Sequence, residues 1–308
     1  MIEHLGKILY GKQENVKCKM ASTTKIMTAI IVMENIEDLN EKVKISSKSA
    51  GIGGSRLGLH TNDEIIVKDL LYGLLLCSGN DAAIALAEYV AGEVDEFVNL
   101  MNNKAKELNL KNTHFVTPHG LDDDKHYTTA YELALITDYA LKIEEIGKIV
   151  KTKSYTVNIN GRSKNINNTN ELLGYLQGVY GVKTGFTNGA NRCLVTSVKR
   201  GDMDLICVVL GADTKKDRGA DSIKLIEYIF SNYQMVDIEY MIHDNFGSLC
   251  DITKFEIEKG INNELKIDLE KNNITLYPVY KDDIKDLRVE TEIKKELKAP
   301  VYKNDVVR

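Results

Sequence analysis

Ala21-Ser22-Thr23-Thr24-Lys25-Ile26-Met27-Thr28-Ala29 opens an apolar run that continues through Ile30, Ile31 and Val32. The stretch predicts one helix from Ser22 to about Glu34, with Ser22 placed to cap it. Residues three apart share a helix face, so the Ser22 hydroxyl and the Lys25 amine can meet. A serine hydroxyl is a weak nucleophile until a base takes its proton. A lysine serves as that base only when neutral, a state that burial and a second nearby cation promote. The helix start adds free backbone N–H groups, one of which can face a developing oxyanion. Alone, Ser-x-x-Lys is a weak signal, satisfied equally by a capping serine and a solvated lysine. It occurs only here in the chain.

Two further motifs raise its weight. Ser78-Gly79-Asn80 interrupts two apolar helical runs, Leu70 to Leu76 behind Asp69, and about Asp81 to Val90, which stops at Gly92. A polar tripeptide wedged there is costly unless it faces a cleft or is fully hydrogen-bonded, although a plain helix-linking turn has the same letters. Ser163-Lys164-Asn165 is similar but is assigned to a polar Gly/Asn-rich loop and set aside. Lys183-Thr184-Gly185 sets a cation and a hydroxyl beside a glycine that lets a ligand approach the backbone, which suits carboxylate binding.

Around these motifs the first half reads as helical. Phe97, Leu100, Met101, Ala105 and Leu108 keep helical spacing, and Thr129-Ala130-Tyr131-Glu132 is a capping box before Leu133, Ile136 and Ala140. Lys7 to Tyr10 looks like a strand. After residue 150 the period becomes two: Ser154 to Ile159 leads into an Asn160-Gly161 turn, and Cys193 to Lys199 and Asp204 to Leu210 form a second hairpin. A helix from about Asp217 to Tyr233 follows. From Val236 onward Phe255 to Glu258, Leu265 to Leu269 and Leu287 to Glu290 alternate like half-buried strands, and Pro278 and Pro300 suit strand ends or edges. The expected division is therefore a catalytic domain over 1–235 and a small β-rich domain over 236–308.

Bulk properties exclude some classes. The 308 residues are 43% apolar and 28% charged, as expected of a soluble fold with a sizeable core. A net charge of −5 gives no basic face for nucleic acid. No stretch is apolar enough to span a bilayer. Cys18, Cys77, Cys193, Cys207 and Cys250 are scattered, odd in number and without a C-x-x-C pair, which reads as free thiols rather than a disulfide framework or zinc site. His114, His119 and His126 lie near one another, but their spacing matches no helical ligand pair, so no metal or cofactor is expected.

In this order, the three motifs resemble the Ser-x-x-Lys, Ser-Asp-Asn, Lys-Thr-Gly set of penicillin-binding proteins and class A β-lactamases. The chain resembles in particular the D-alanyl-D-alanine carboxypeptidases, the low-molecular-mass penicillin-binding proteins. The likeness covers roughly residues 7–235. It includes Leu74 to Ala83, Asn112-Thr113-His114-Phe115, Pro118-His119-Gly120-Leu121, His126 to Ala130, Asn168-Thr169-Asn170 and Gly181 to Thr187. It implies an α+β fold: an antiparallel sheet flanked by helices, with a helical subdomain and then a small all-β domain. It also implies acyl transfer, with Ser22 as nucleophile and Lys25 as base. Ser78 and Asn80 would act beside them, and Lys183, Thr184 and Gly185 would bind the substrate. The backbone N–H groups of Ser22 and Phe186 would form the oxyanion hole. The implied partners are peptidoglycan stem peptides, with β-lactams as covalent inhibitors, in the cell envelope.

The family is exported, and its members often end in an amphipathic membrane helix. The chain begins with no signal-peptide pattern and stops before any such helix, so both ends are expected to be cut back. Two alternatives are a β-lactamase and a non-catalytic penicillin-sensing or cell-wall-binding module on the same fold. Glu107-Leu108-Asn109 faintly echoes a class A deacylation loop but reads better as part of an amphipathic helix.

Overall fold

The computed structural model describes residues 1–2, 6–242, 256–258, 276–288 and 296–298. Contacts divide the chain into two compact units, Met1–Ile229 and Phe230–Arg308.

The first unit is built around α1 (Lys25–Asn35), whose residues Lys25 to Val32 are all buried. A helix apolar on every side needs cover on every side. It gets this from α3 (Val67–Leu75), α4 (Asn80–Ala91), α5 (Val94–Glu107) and α6 (Ala130–Leu141), which all pack against it. The short α2 (Ser47–Gly51) packs on α4. Its cap is Ser46, whose hydroxyl accepts the Ser49 N–H at 3.0 Å. Strands β1 (Lys42–Lys44) and β2 (Glu64–Ile66) pair antiparallel at one edge.

After α7 (Glu144–Lys151), β3 (Ser154–Ile159) and β4 (Arg162–Asn167) form the expected hairpin. Asn160 and Gly161 take φ values of +50° and +78°, the positive pair that a tight two-residue turn demands. The main sheet is antiparallel in the order β5 (Val179–Thr187), β6 (Asn191–Arg200), β7 (Met203–Ala212). Every residue from Cys193 to Val198 is buried, so this central strand is covered on both faces. In register, Lys183 faces Val195, Gly185 faces Cys193 and Phe186 faces Arg192. Helix α8 (Lys215–Asn232) follows. The mixed α+β architecture implied by the resemblance is the one observed.

Several local expectations are corrected. The segment before α1 is a separate 3₁₀ turn, Ala21–Thr24, so Ser22 does not cap an α-helix. Its hydroxyl pairs with the Lys25 amine instead, at 2.9 Å. Lys7 to Tyr10 is not a strand; the N-terminal bridge is Ile2 to Leu205. Ser163-Lys164-Asn165 lies in β4 rather than a loop. Only half of the capping box forms: Thr129 accepts from the Glu132 N–H, but Glu132 turns its carboxylate to Asn112 N and Thr113.

In the second unit β8 (Tyr233–Asp237) pairs antiparallel with β10 (Leu276–Tyr280), and β9 (Glu256–Glu258) pairs parallel with β11 (Glu296–Lys298). The Tyr233 and Tyr280 rings meet edge to face at 5.3 Å. Of the expected strands, Leu265 to Leu269 lies outside the described residues, as do residues 289–290, while Leu287 and Arg288 are not in a strand. Among the described residues no helix is long and apolar enough to cross a membrane.

Candidate active site

The 3₁₀ turn is held by its own hydroxyls. Thr23 donates to Met20 O at 2.6 Å and Thr24 to Ala21 O at 2.7 Å. Ala21 adopts φ +48°, a left-handed conformation rare outside glycine, and turns the chain so that Ser22 is only half-buried beside fully buried Lys25. The turn packs against β5 and β6. At Gly185 a Cβ would lie 3.1 Å from Ser22 N and from Met20 O, so glycine is what lets the Lys-Thr-Gly strand approach the turn.

Lys25 Nζ has three neighbours: Ser22 Oγ at 2.9 Å, Asn80 Oδ1 at 2.7 Å and His119 O at 2.8 Å. Asn80 donates its own amide N–H to Gly53 O at 2.7 Å, which orients its Oδ1 toward the amine. Burial pushes the Lys25 amine well below its usual range, and the charge of Lys183 lowers it further. A neutral amine has two N–H donors and one lone pair. Two of its neighbours are oxygens that only accept, and the third is a hydroxyl that can donate. The neutral form therefore matches the site with both N–H groups spent on Asn80 and His119, leaving the lone pair to accept the Ser22 proton.

Ser78 is buried at the break between α3 and α4, with φ +64°. Two non-glycine residues in this sparsely populated region, Ala21 and Ser78, flank the same site, where such conformations tend to collect. Next to Ser78, the Asp81 carboxylate accepts the backbone N–H groups of Leu57 and Gly58 at 2.7 Å and Leu59 at 3.1 Å. Asn80 N donates to Ser55 O at 2.7 Å. The loop before β2 is thereby tied to the second motif.

Lys183 is buried, donates to Thr184 O at 3.0 Å, and is lowered to about 7, mainly by burial, with Arg218 adding to the effect. Thr184 Oγ1 lies 2.7 Å from Thr169 Oγ1, and Asn170 donates to Gly181 O at 2.9 Å, which fastens the Asn-Thr-Asn segment to β5. Phe186 stands on the rim, 47% exposed, with the Arg192 guanidinium 3.6 Å above its ring.

The fold thus brings together Ser22, Lys25, Asn80 and Lys183, with Ser78, Thr184 and Gly185 in the adjoining elements. Two participants escape a sequence reading. The His119 carbonyl leaves no mark in a side-chain motif, and Arg218, inside Lys215-Lys216-Asp217-Arg218, reads as a solvated helix start but is only 3% exposed. Rings of the His cluster are structural. His126 Nδ1 accepts from Val116 N at 2.9 Å, so Nε2 carries the proton and donates to Thr24 Oγ1 at 2.7 Å. Burial lowers His119 to about 3 and His126 to about 4. Among the described residues no group of three or more His, Cys, Asp or Glu is arranged to hold a metal. Glu107 is remote in role: it is exposed at the end of α5 and pairs with Lys104 at 2.8 Å.

Residues 1–214 match the family described as D-alanyl-D-alanine carboxypeptidase. The D-alanyl-D-alanine carboxypeptidase DacF of Bacillus subtilis is 40% identical over 260 residues, covering 83% of this chain and 65% of the relative. DacD of Escherichia coli is 36% identical over 76% of this chain and 62% of its own length. The chain therefore spans a little less than two thirds of these relatives. Among solved structures, the DD-transpeptidase of Streptomyces K15 superposes with a TM-score of 0.72 at 35% identity, over 75% of this chain and 95% of that one. DacD of Francisella tularensis gives 0.68 at 31% identity, over 77% and 70%. Sequence, fold and the placement of the three motifs agree, and the chain belongs to the D-alanyl-D-alanine carboxypeptidase family.

Proposed function

We propose that this chain is a serine D-alanyl-D-alanine carboxypeptidase that removes the terminal D-alanine from peptidoglycan stem pentapeptides in the cell envelope. The observation that carries it is the buried, deprotonation-prone Lys25 amine 2.9 Å from Ser22 Oγ. The proposed catalytic groups all lie within the first unit, Met1–Ile229. The proposed organisation keeps residues 1–235 as the catalytic domain and 236–308 as a β-rich domain.

In this mechanism Ser22 Oγ attacks the carbonyl carbon between the two D-alanines while Lys25 Nζ takes its proton. The oxyanion forms opposite the backbone N–H groups of Ser22 and Phe186. Ser78 relays a proton to the departing amine, the C–N bond breaks, and D-alanine leaves. Water then attacks the ester on Ser22. Asn80 orients Lys25 and the substrate amide. Lys183 and Thr184, with Gly185 opening the way to the backbone, hold the terminal carboxylate. Arg218, buried and bonded to Cys193 O opposite Gly185, adds a guanidinium to the same subsite. A β-lactam places its ring carbonyl and carboxylate on the same groups and remains as a slowly hydrolysed ester.

Mass spectrometry after incubation with benzylpenicillin should show one covalent adduct, mapped to Ser22 and absent in Ser22→Ala. A synthetic peptide ending in D-Ala-D-Ala should release D-alanine with the wild type alone. Rapid turnover of a chromogenic β-lactam would indicate a β-lactamase, and an adduct without D-alanine release would indicate a sensor.

A further inference from the structure

Arg218, in the first turn of α8, is nearly sealed from solvent. One terminal nitrogen donates to Glu171 Oε1 and the other to Cys193 O at 3.3 Å, while Nε is buried without a partner. Cys193 sits across from Gly185 of the Lys-Thr-Gly strand, and the charge of Arg218 reaches Lys183. Glu171 belongs to a different segment. It follows Asn168-Thr169-Asn170, the segment stitched to β5 through Thr169 to Thr184 and Asn170 to Gly181.

A guanidinium offers five N–H donors in a rigid fork. Cys193 O alone is a single point about which the group pivots. Glu171 supplies the second point and fixes the plane. Its charge also offsets the cost of burying a cation in the free protein. Each terminal nitrogen keeps a second N–H beyond the one it spends, and Nε is left without a protein partner.

We propose that Glu171 is a positioning residue: it orients Arg218 so that the guanidinium's unspent N–H groups meet the terminal carboxylate of the D-Ala-D-Ala peptide. This rests on the carboxypeptidase function proposed above and deepens its carboxylate subsite. Glu171 does not touch the reacting atoms. Its loss therefore acts on ligands that carry a carboxylate and spares those that lack one.

The test compares the wild-type chain, Glu171→Gln and Glu171→Ala with two acylating ligands, benzylpenicillin and its methyl ester, and with a synthetic D-Ala-D-Ala peptide. Glu171→Ala is expected to raise KM for the peptide about 10-fold with kcat within about twofold. It should slow acylation by benzylpenicillin by a similar factor and leave the rate with the ester within about twofold, the separation a charge-assisted hydrogen bond provides. Glu171→Gln, which keeps an acceptor oxygen, should restore KM to within about threefold. Equal slowing with acid and ester would overturn the proposal and make Glu171 merely structural, as would no change with either. A wild-type chain that forms no Ser22 adduct with either ligand would instead overturn the carboxypeptidase function itself, so the two failures are distinct.

Discussion

Lys183 and Lys25 are two fully buried amines, and the charge of the first depresses the second. The packing of the Ala21–Thr24 turn against β5 brings these groups, distant in sequence, into one electrostatic environment. Two adjacent buried cations are unfavourable, so the pair favours a state with one charge, carried by Lys183, and Lys25 neutral.

Replacing Lys183 by Met should move the acid limb of the kcat/KM profile to higher pH, because Lys25 then regains a proton more readily. It should also lower kcat/KM by roughly 10- to 100-fold through loss of a charge-assisted contact to the carboxylate. In the wild type, KM for the peptide should climb as pH rises past about 7, where Lys183 loses its charge. An acid limb unmoved in Lys183→Met would show that Lys25 is tuned by burial alone.

Acid should unfold the first unit through its buried imidazoles. The folded values of about 3 for His119 and about 4 for His126 lie below the ordinary 6.5, so the unfolded chain binds more protons between these limits. Stability is then fully present above about 6.5 and lost as pH falls toward 4. At pH 4.5 each imidazole accounts for about 2.5 kcal/mol of that loss. Denaturant unfolding of His126→Gln should give a pH dependence between 6.5 and 4.5 shallower by about this amount; an unchanged slope would mean that His126 titrates normally.

Gly120→Ala should damage the site without touching a catalytic group. Gly120 has φ +86°, and a Cβ would lie 1.9 Å from Ala21 O, a backbone atom that cannot swing away. Destabilisation of about 2–4 kcal/mol is expected, together with slower acylation as Ser22 is displaced. Chemical denaturation and the penicillin acylation rate would measure both; a change below about 0.5 kcal/mol would refute the contact.

Asp81→Ala should loosen the loop over the second motif. Three consecutive backbone N–H groups, of Leu57, Gly58 and Leu59, lose a charged acceptor. The cost should reach about 3 kcal/mol or more, since hydrogen bonds to charged groups contribute about 1.5–3 kcal/mol each. Faster hydrogen exchange at these amides is the check. Exchange as slow as in the wild type would show that other groups hold the loop.

Residue type and spacing made the outlines legible. The apolar run after Ser22 reads as a helix, and the Asn160-Gly161 turn announced its hairpin. Gly92 stops α4 with φ +77°. Errors arose where a local signal had two outcomes. Ser22 is a competent helix cap by type, yet Ala21 in a left-handed conformation and the approach of Gly185 give it another partner. Glu132 completes a capping box by spacing, yet two donors in the Asn112–Thr113 segment outcompete the helix start for its carboxylate.

The order of the three motifs was written in the sequence, because the proposed nucleophile, base and carboxylate-binding lysine must be particular side chains. What they do together was decided by tertiary structure alone. The neutrality of Lys25 depends on desolvation and on a cation from another strand, and its third neighbour is a main-chain carbonyl. The burial of Arg218 against Glu171 depends on how α8 meets the sheet. Such properties belong to the space between elements, which spacing along the chain does not encode.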